Sequence, residues 1–162
     1  MDWKKIHREF HAFAAKLGWE VEADDTHFFY GKSSTYYLTE PNQAYYKLKH
    51  TKPIRDYGSK LRVYSRFNGD LSIKAKPRFF GKPKISANVD LTPDLHQNLI
   101  SLCQQVGGFC WTAQPHHKSW PFELANERTL RFECKRVDLA VSQLSIIREI
   151  HLALKRQYDG ST

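Results

Sequence analysis

Leu61-Arg62-Val63-Tyr64-Ser65-Arg66-Phe67-Asn68-Gly69-Asp70-Leu71-Ser72-Ile73-Lys74-Ala75-Lys76 is the stretch whose reading decides the fold of this chain. Apolar and polar residues alternate on both sides of Asn68-Gly69, and a period of two marks a half-buried β-strand. Two strands, Leu61–Arg66 and Leu71–Lys76, therefore flank a turn. A two-residue loop would oppose Val63 to Lys74 and mix the two faces. A three-residue loop, Phe67-Asn68-Gly69 with Gly69 in the left-handed position of a bulge, opposes Leu61 to Ala75, Val63 to Ile73 and Ser65 to Leu71. This second register predicts a hairpin with one packing face, and it gathers Arg62, Tyr64, Lys74 and Lys76 on the reverse.

The same period runs through the neighbouring sequence. Phe28–Leu38, Tyr45–His50 and Lys84–Val89 read as further strands, broken at Pro41-Asn42, Pro53, Gly58-Ser59, Pro77 and Gly81 with Pro83. Short strands with short connections predict an antiparallel meander. Steps of three and four then replace steps of two. Trp3, Ile6, Phe10, Phe13 and Leu17 form one stripe of a helix over 2–17, ended by Gly18. Thr92 as cap, Pro93 in the first turn and Asp94 at the positive end open a second helix. Its stripe is Leu95, Leu99, Leu102 and Val106, and Gly107-Gly108 closes it. Strands over Phe109–Ala113 and Thr129–Arg136 follow, separated by a loop, 114–121. A third helix runs over Leu139–Gln157, with Asp138 as cap and Leu144, Ile147, His151 and Leu154 as its stripe. The expected architecture is α+β: an antiparallel meander sheet of about five to seven strands, with three helices packed mainly on one face. Residues 1–158 form a single domain in this reading and 159–162 a flexible tail.

Composition agrees with a packed core. Apolar residues make up 41% of the 162 and charged residues 26%, values of a globular chain rather than a disordered one. A chain near 150 residues buries roughly 70% of the surface it exposes when unfolded. No run of 18 apolar residues is present, so no transmembrane helix is expected. The N-terminus enters an amphipathic pattern at once instead of a secretory apolar core, which predicts a cytoplasmic protein. Cys103, Cys110 and Cys134 sit among apolar neighbours and read as reduced, buried thiols.

Charge is unevenly spread. Between Tyr45 and Ile85 twelve Lys or Arg residues face only two acids, Asp56 and Asp70, so the whole formal +8 comes from this block. Strand parity places Lys47, Lys49, Arg62, Tyr64, Arg66, Lys74 and Lys76 on one face, extended by Arg78, Lys82 and Lys84. Cations neutralise phosphates and release counterions, and an interleaved tyrosine can stack on an unpaired base. A merely solvated face, where Lys and Arg discourage strand pairing, would ordinarily mix both signs. The adjacent Phe79-Phe80 pair is expected to cover an end of the core with one or both rings. The ring-rich loop holding Trp111, His116, His117 and Trp120 suits contact with a partner.

Other motifs fail on spacing. His7 and His11 lie four apart, but in His7-Arg8-Glu9-Phe10-His11 the acid points away from both imidazoles, so no zinc protease site forms. Gly31-Lys32-Ser33-Ser34 echoes the end of a phosphate-binding loop, yet Thr26 stands where its first glycine belongs and β-prone residues follow. No Cys-x-x-Cys pair accompanies His116-His117, and no metal or cofactor is expected. Asp24-Asp25 reads as turn chemistry between the first helix and the first strand. The aromatic-basic strand motif of RNA-recognition domains and the Gly-x-x-Gly loop of KH domains are absent. The sequence thus predicts a non-enzymatic binding protein that contacts a polyanion, foremost nucleic acid, through the basic face. The alternative is a protein-interaction module (an inhibitor, an immunity-type protein or an assembly factor) for an acidic protein partner.

Overall fold

The computed structural model describes residues 3–28, 31–53, 58–117, 120–135 and 139–160. Helix α1 (Trp3–Leu17) leads into strands β1 (Glu22–Phe28), β2 (Gly31–Glu40), β3 (Ala44–Pro53), β4 (Gly58–Arg66), β5 (Ser72–Lys76) and β6 (Lys84–Ala87). Helix α2 (Pro93–Val106), strands β7 (Phe109–Pro115) and β8 (Arg128–Lys135) and helix α3 (Val141–Tyr158) complete the order. The expected α+β class holds. The sheet is antiparallel but larger than expected, with eight strands in the order β1-β2-β3-β4-β8-β7-β5-β6. One source of the excess is β1, which takes in Asp24-Asp25: these residues lie in a strand, not in a turn.

The central hairpin is a correction. β4 does not pair with β5; the β7–β8 hairpin lies between them. Leu61 faces Cys134 and Val63 faces Phe132, while Ile73 faces Trp111 and Ala75 faces Phe109. Parity survives although the partners change, because Leu61, Val63, Ser65, Leu71, Ile73 and Ala75 are all buried on the same face. Two strands separate β4 from β5, a gap of roughly 14 Å at about 4.8 Å per strand spacing. The short link from Phe67 to Leu71 spans it on the helix side, with both end side chains in the core. Gly69 does not take a positive φ there. Its role is close approach: a Cβ would meet the Tyr158 carbonyl oxygen at 2.5 Å and the Phe67 ring at 2.8 Å. The β7–β8 loop leaves the same end of the sheet and bends to the opposite face, so the two connections do not collide.

Helix signals follow expectation more closely. The Leu95 N–H donates to Thr92 Oγ1 at 3.3 Å, and Pro93 begins α2. Gly18 and Gly107 take positive φ just past α1 and α2, conformations that glycine adopts without penalty. The expected cap of α3, Asp138, lies outside the described residues. A distant side chain serves this helix start instead, as the Val141 N–H donates to Glu9 Oε2 of α1 at 2.7 Å. Phe10, Phe13, Leu99, Leu102, Leu144, Ile147 and Leu154 pack onto the inner sheet face. At the sheet corner Tyr46 Oη donates to Glu40 Oε2 at 2.9 Å, and Arg148 Nε reaches the same carboxylate at 3.0 Å. The buried acid is thereby paired and hydrogen-bonded.

His151 is the polar centre of this core and is fully buried. Trp111 Nε1–H, which can only donate, reaches His151 Nδ1 at 3.0 Å. Nε2 therefore carries the proton and donates to Ser65 Oγ at 2.8 Å. Burial first, and the nearby Lys155 charge second, push His151 down to about 3 from its ordinary 6.5. Its folded pKa lies below its unfolded one, so the unfolded chain binds the extra proton. The stability this neutral ring contributes is present above the unfolded pKa and falls away as pH drops from about 6.5 toward 3. Between pH 7 and pH 5 this one group should remove about 2 kcal/mol, near 1.4 kcal/mol per pH unit over the lower part of that range. Urea unfolding of wild type and His151→Gln across that range should show the steeper loss in wild type; equal slopes would contradict a neutral buried ring.

Candidate functional site

With helices on the inner face, the outer face carries the alternate residue of every strand. Cross-strand register arranges these residues in rows. One row runs Lys49, Lys60, Lys135 across β3, β4 and β8, and Lys76 faces Lys84 across β5 and β6 at the same end of the sheet. The next row runs Lys47, Arg62, Glu133, Cys110, Lys74, Ser86. A third holds Tyr45, Tyr64, Arg131, Thr112 and Ser72. Among the described outward positions of β3 to β8, Glu133 is the sole acid. Glu22 and Asp24 lie on β1, two strands from Lys47 and Lys49.

Glu133 sits at the centre of the cations. Arg62 Nε donates to its Oε2 at 2.7 Å, and Lys60 Nζ lies 3.7 Å from Oε1. Partial burial pushes its carboxyl up, but Arg62, Lys60 and Arg131 outweigh burial and hold it below the ordinary carboxylate range. Lys47, half-buried over the Tyr37 ring at 5.7 Å, is pushed down by burial and by the charges of Arg62 and Lys49. Lys49, Lys74, Lys76 and Lys135 are exposed and form no ion pair with a described residue. Like charges directly opposite one another on adjacent strands are destabilising, and this face carries several such pairs.

The other end of the face is covered. The loop between β7 and β8 folds back over it, placing Trp120 against Tyr37, Tyr45 and Tyr64 at ring distances of 4.8, 5.9 and 6.4 Å. His116 meets the Tyr64 ring edge-on at 5.3 Å. The loop also supplies Glu127, whose carboxylate takes Arg66 Nε at 2.6 Å, and the Glu123 carbonyl, which takes Arg66 Nη2 at 3.2 Å.

The expected site residues therefore separate into groups. Lys47, Lys49, Lys74 and Lys76 share the open end, and Arg62 joins them through its pair with Glu133. Tyr64 is only 4% exposed, so the expected stacking on a base has no ring face to use. Arg66 belongs to the covered end and is held by the loop. Arg78 stands exposed on the β5–β6 connection. Within the expected contact loop, Trp111 is a core residue on β7 and His116 is buried, while His117 is exposed and Trp120 is packed on tyrosines. Phe79 and Phe80 do not cover the core; they are 93% and 83% exposed.

Lys60, Arg131 and Lys135 are members of the open face that sequence reasoning did not assign to it. The alternation of Arg131, Glu133 and Lys135 was the available signal; only the insertion of β8 beside β4 shows that they join the same surface.

Ser65 and His151 touch, but the protonated Nε2 faces the hydroxyl and cannot take its proton. His7 and His11 stack at 4.2 Å, and His7 Nδ1 lies 3.1 Å from Tyr36 Oη. Among the described residues no group of three His, Cys, Asp or Glu side chains converges. Among the described residues no helix is long and apolar enough to cross a membrane. No family model, curated protein or solved structure matches the chain.

Replacing Glu133 isolates its effect. Glu133→Gln should lower stability by about 1–3 kcal/mol, and the loss should shrink at high salt, where repulsion among Lys47, Lys60, Arg62 and Arg131 is screened. Urea titrations at low and high salt measure this; an equal loss at both would show that the cations do not repel one another.

Proposed function

We propose that this protein binds nucleic acid along the open, basic end of its outer sheet face. The observation that carries the reading is the cross-strand row Lys49, Lys60, Lys135, with Lys76 and Lys84 at the same end of the sheet. Such opposed like charges work against folding, and a bound polyanion would turn that repulsion into attraction. Phosphates along a strand would contact these lysines together with Lys47 and Lys74, and each contact would release a counterion. Arg62 and Arg131 would keep their relation to Glu133 and act as the fixed positive floor of the site. Contacts of this kind read the backbone rather than the bases, so the reading is one of binding without sequence choice.

An acidic protein is the competing partner, since it offers the same sign of charge. It lacks the regular spacing of phosphates and would not tolerate exchange of its sequence. The deciding measurement is retention of labelled single- and double-stranded oligonucleotides between about 50 and 200 mM salt. Wild type should lose affinity steeply over that range. The triple substitution Lys49→Gln, Lys60→Gln, Lys135→Gln should flatten the slope of log affinity against log salt by about two for a single strand. Absence of retention at low salt, or a slope untouched by the triple substitution, would refute the proposal.

A further inference from the structure

The connection between β5 and β6 carries two phenylalanines that the rest of the molecule does not use. Phe79 and Phe80 contact each other edge-to-face at 4.7 Å and 87°, and both stand in solvent. Gly81, at φ +84° with nothing within 4 Å of a built Cβ, shapes the tip. In the sequence the pair is flanked by Lys76, Arg78, Lys82 and Lys84, with no acid between Leu71 and Val89. Apolar rings left exposed inside a cationic tip mark a surface made for contact. Their occupant must offer an apolar plane and negative charge at once.

We infer that this tip is a stacking wedge, and that the nucleic acid of the basic face is single-stranded where it meets Phe79 and Phe80. The inference rests on the nucleic-acid reading above and names its substrate class. Lys76 and Lys84 join the tip directly to the end of the sheet that holds Lys49, Lys60 and Lys135. From β3 to β6 that end spans five strand spacings, roughly 24 Å. A linear polymer with phosphates at intervals and flat rings between them fits a line of cations that ends in aromatic side chains. A bilayer would engage the tip with Arg78 and Lys82 and make no use of the lysines on β3, β4 and β8. Paired bases hide their faces in the helical stack, whereas an unpaired base offers a whole face to a ring. Because the two phenylalanines stand perpendicular, one ring takes the base and the other braces it.

The test uses the full chain, an oligothymidylate of about 16 nucleotides, its duplex counterpart, and vesicles containing phosphatidylserine. Phe79→Ala with Phe80→Ala removes no packing from the core, so its thermal unfolding should match wild type. It should weaken oligothymidylate binding about 5- to 150-fold, the range that loss of one stacked base implies, and leave the salt slope unchanged. Phe79→Trp with Phe80→Trp should retain affinity. Wild type should prefer the single strand to the duplex and leave the vesicles unbound. A change below about twofold for the alanine variant, with the lysine triple substitution still weakening binding, would overturn the wedge alone. Duplex binding as tight as single-strand binding would do the same. Failure of wild type to bind any nucleic acid would remove the reading on which the wedge rests. Phe-dependent capture of vesicles without oligonucleotide binding would assign the tip to a lipid surface and overturn the proposal.

Discussion

Alternation of side chains across a pleated backbone is the constraint on which this molecule depends. Helices α1, α2 and α3 pack on one face of the sheet, so apolar side chains of the central strands sent to that face are buried and the cations of the alternate positions lie on the other. Burial of each such side chain is worth about 1.5–3 kcal/mol, which holds the strands against a slip of one residue. A slip would put Lys74 and Lys76 in the core and Ile73 in water. The polar contacts of the inner face reinforce this choice. Trp111, His151 and Ser65 join β7, α3 and β4 by hydrogen bonds that a shifted strand could not keep.

Topology then turns parity into a surface. Insertion of the β7–β8 hairpin between β4 and β5 brings Lys135 beside Lys60 and makes one outer face whose cations lie on β3, β4 and β8 and, across the uncharged β7, on β5 and β6. The same insertion supplies the β7–β8 loop, which covers the opposite end with Trp120 and neutralises Arg66 through Glu127. The outer face is thus divided. One end is aromatic, covered and balanced in charge; the other is open and positive, with Glu133 as its one acid among the described outward positions of β3 to β8.

Much of this was legible in the residues and some was not. The capped start of α2 at Thr92-Pro93, the glycine stops at Gly18 and Gly107, and the inward parity of Leu61, Val63, Ile73 and Ala75 all depend on neighbours within a few positions. Such signals are local and survive in the sequence. The partner of β4 is not local: β8, beginning at Arg128, outcompetes β5, beginning at Ser72, and periodicity is the same for either partner. For that reason alternation alone does not join Lys135 to Lys60, places Tyr64 in solvent although a distant loop covers it, and leaves Trp111 beside a loop although it lies in the core. The exposure of Phe79 and Phe80 was hidden for the opposite reason, since two adjacent aromatic residues ordinarily read as core.

The central claim is that a nucleic acid lies on one end of one face. Reductive ¹³C-methylation of the lysines, followed by NMR titration with an oligonucleotide, tests it most directly. The account predicts shifts at Lys49, Lys60, Lys74 and Lys135 and none at Lys4, Lys5 and Lys16 on α1. Shifts centred on the α1 lysines, or no shift at the sheet lysines at saturating oligonucleotide, would contradict it.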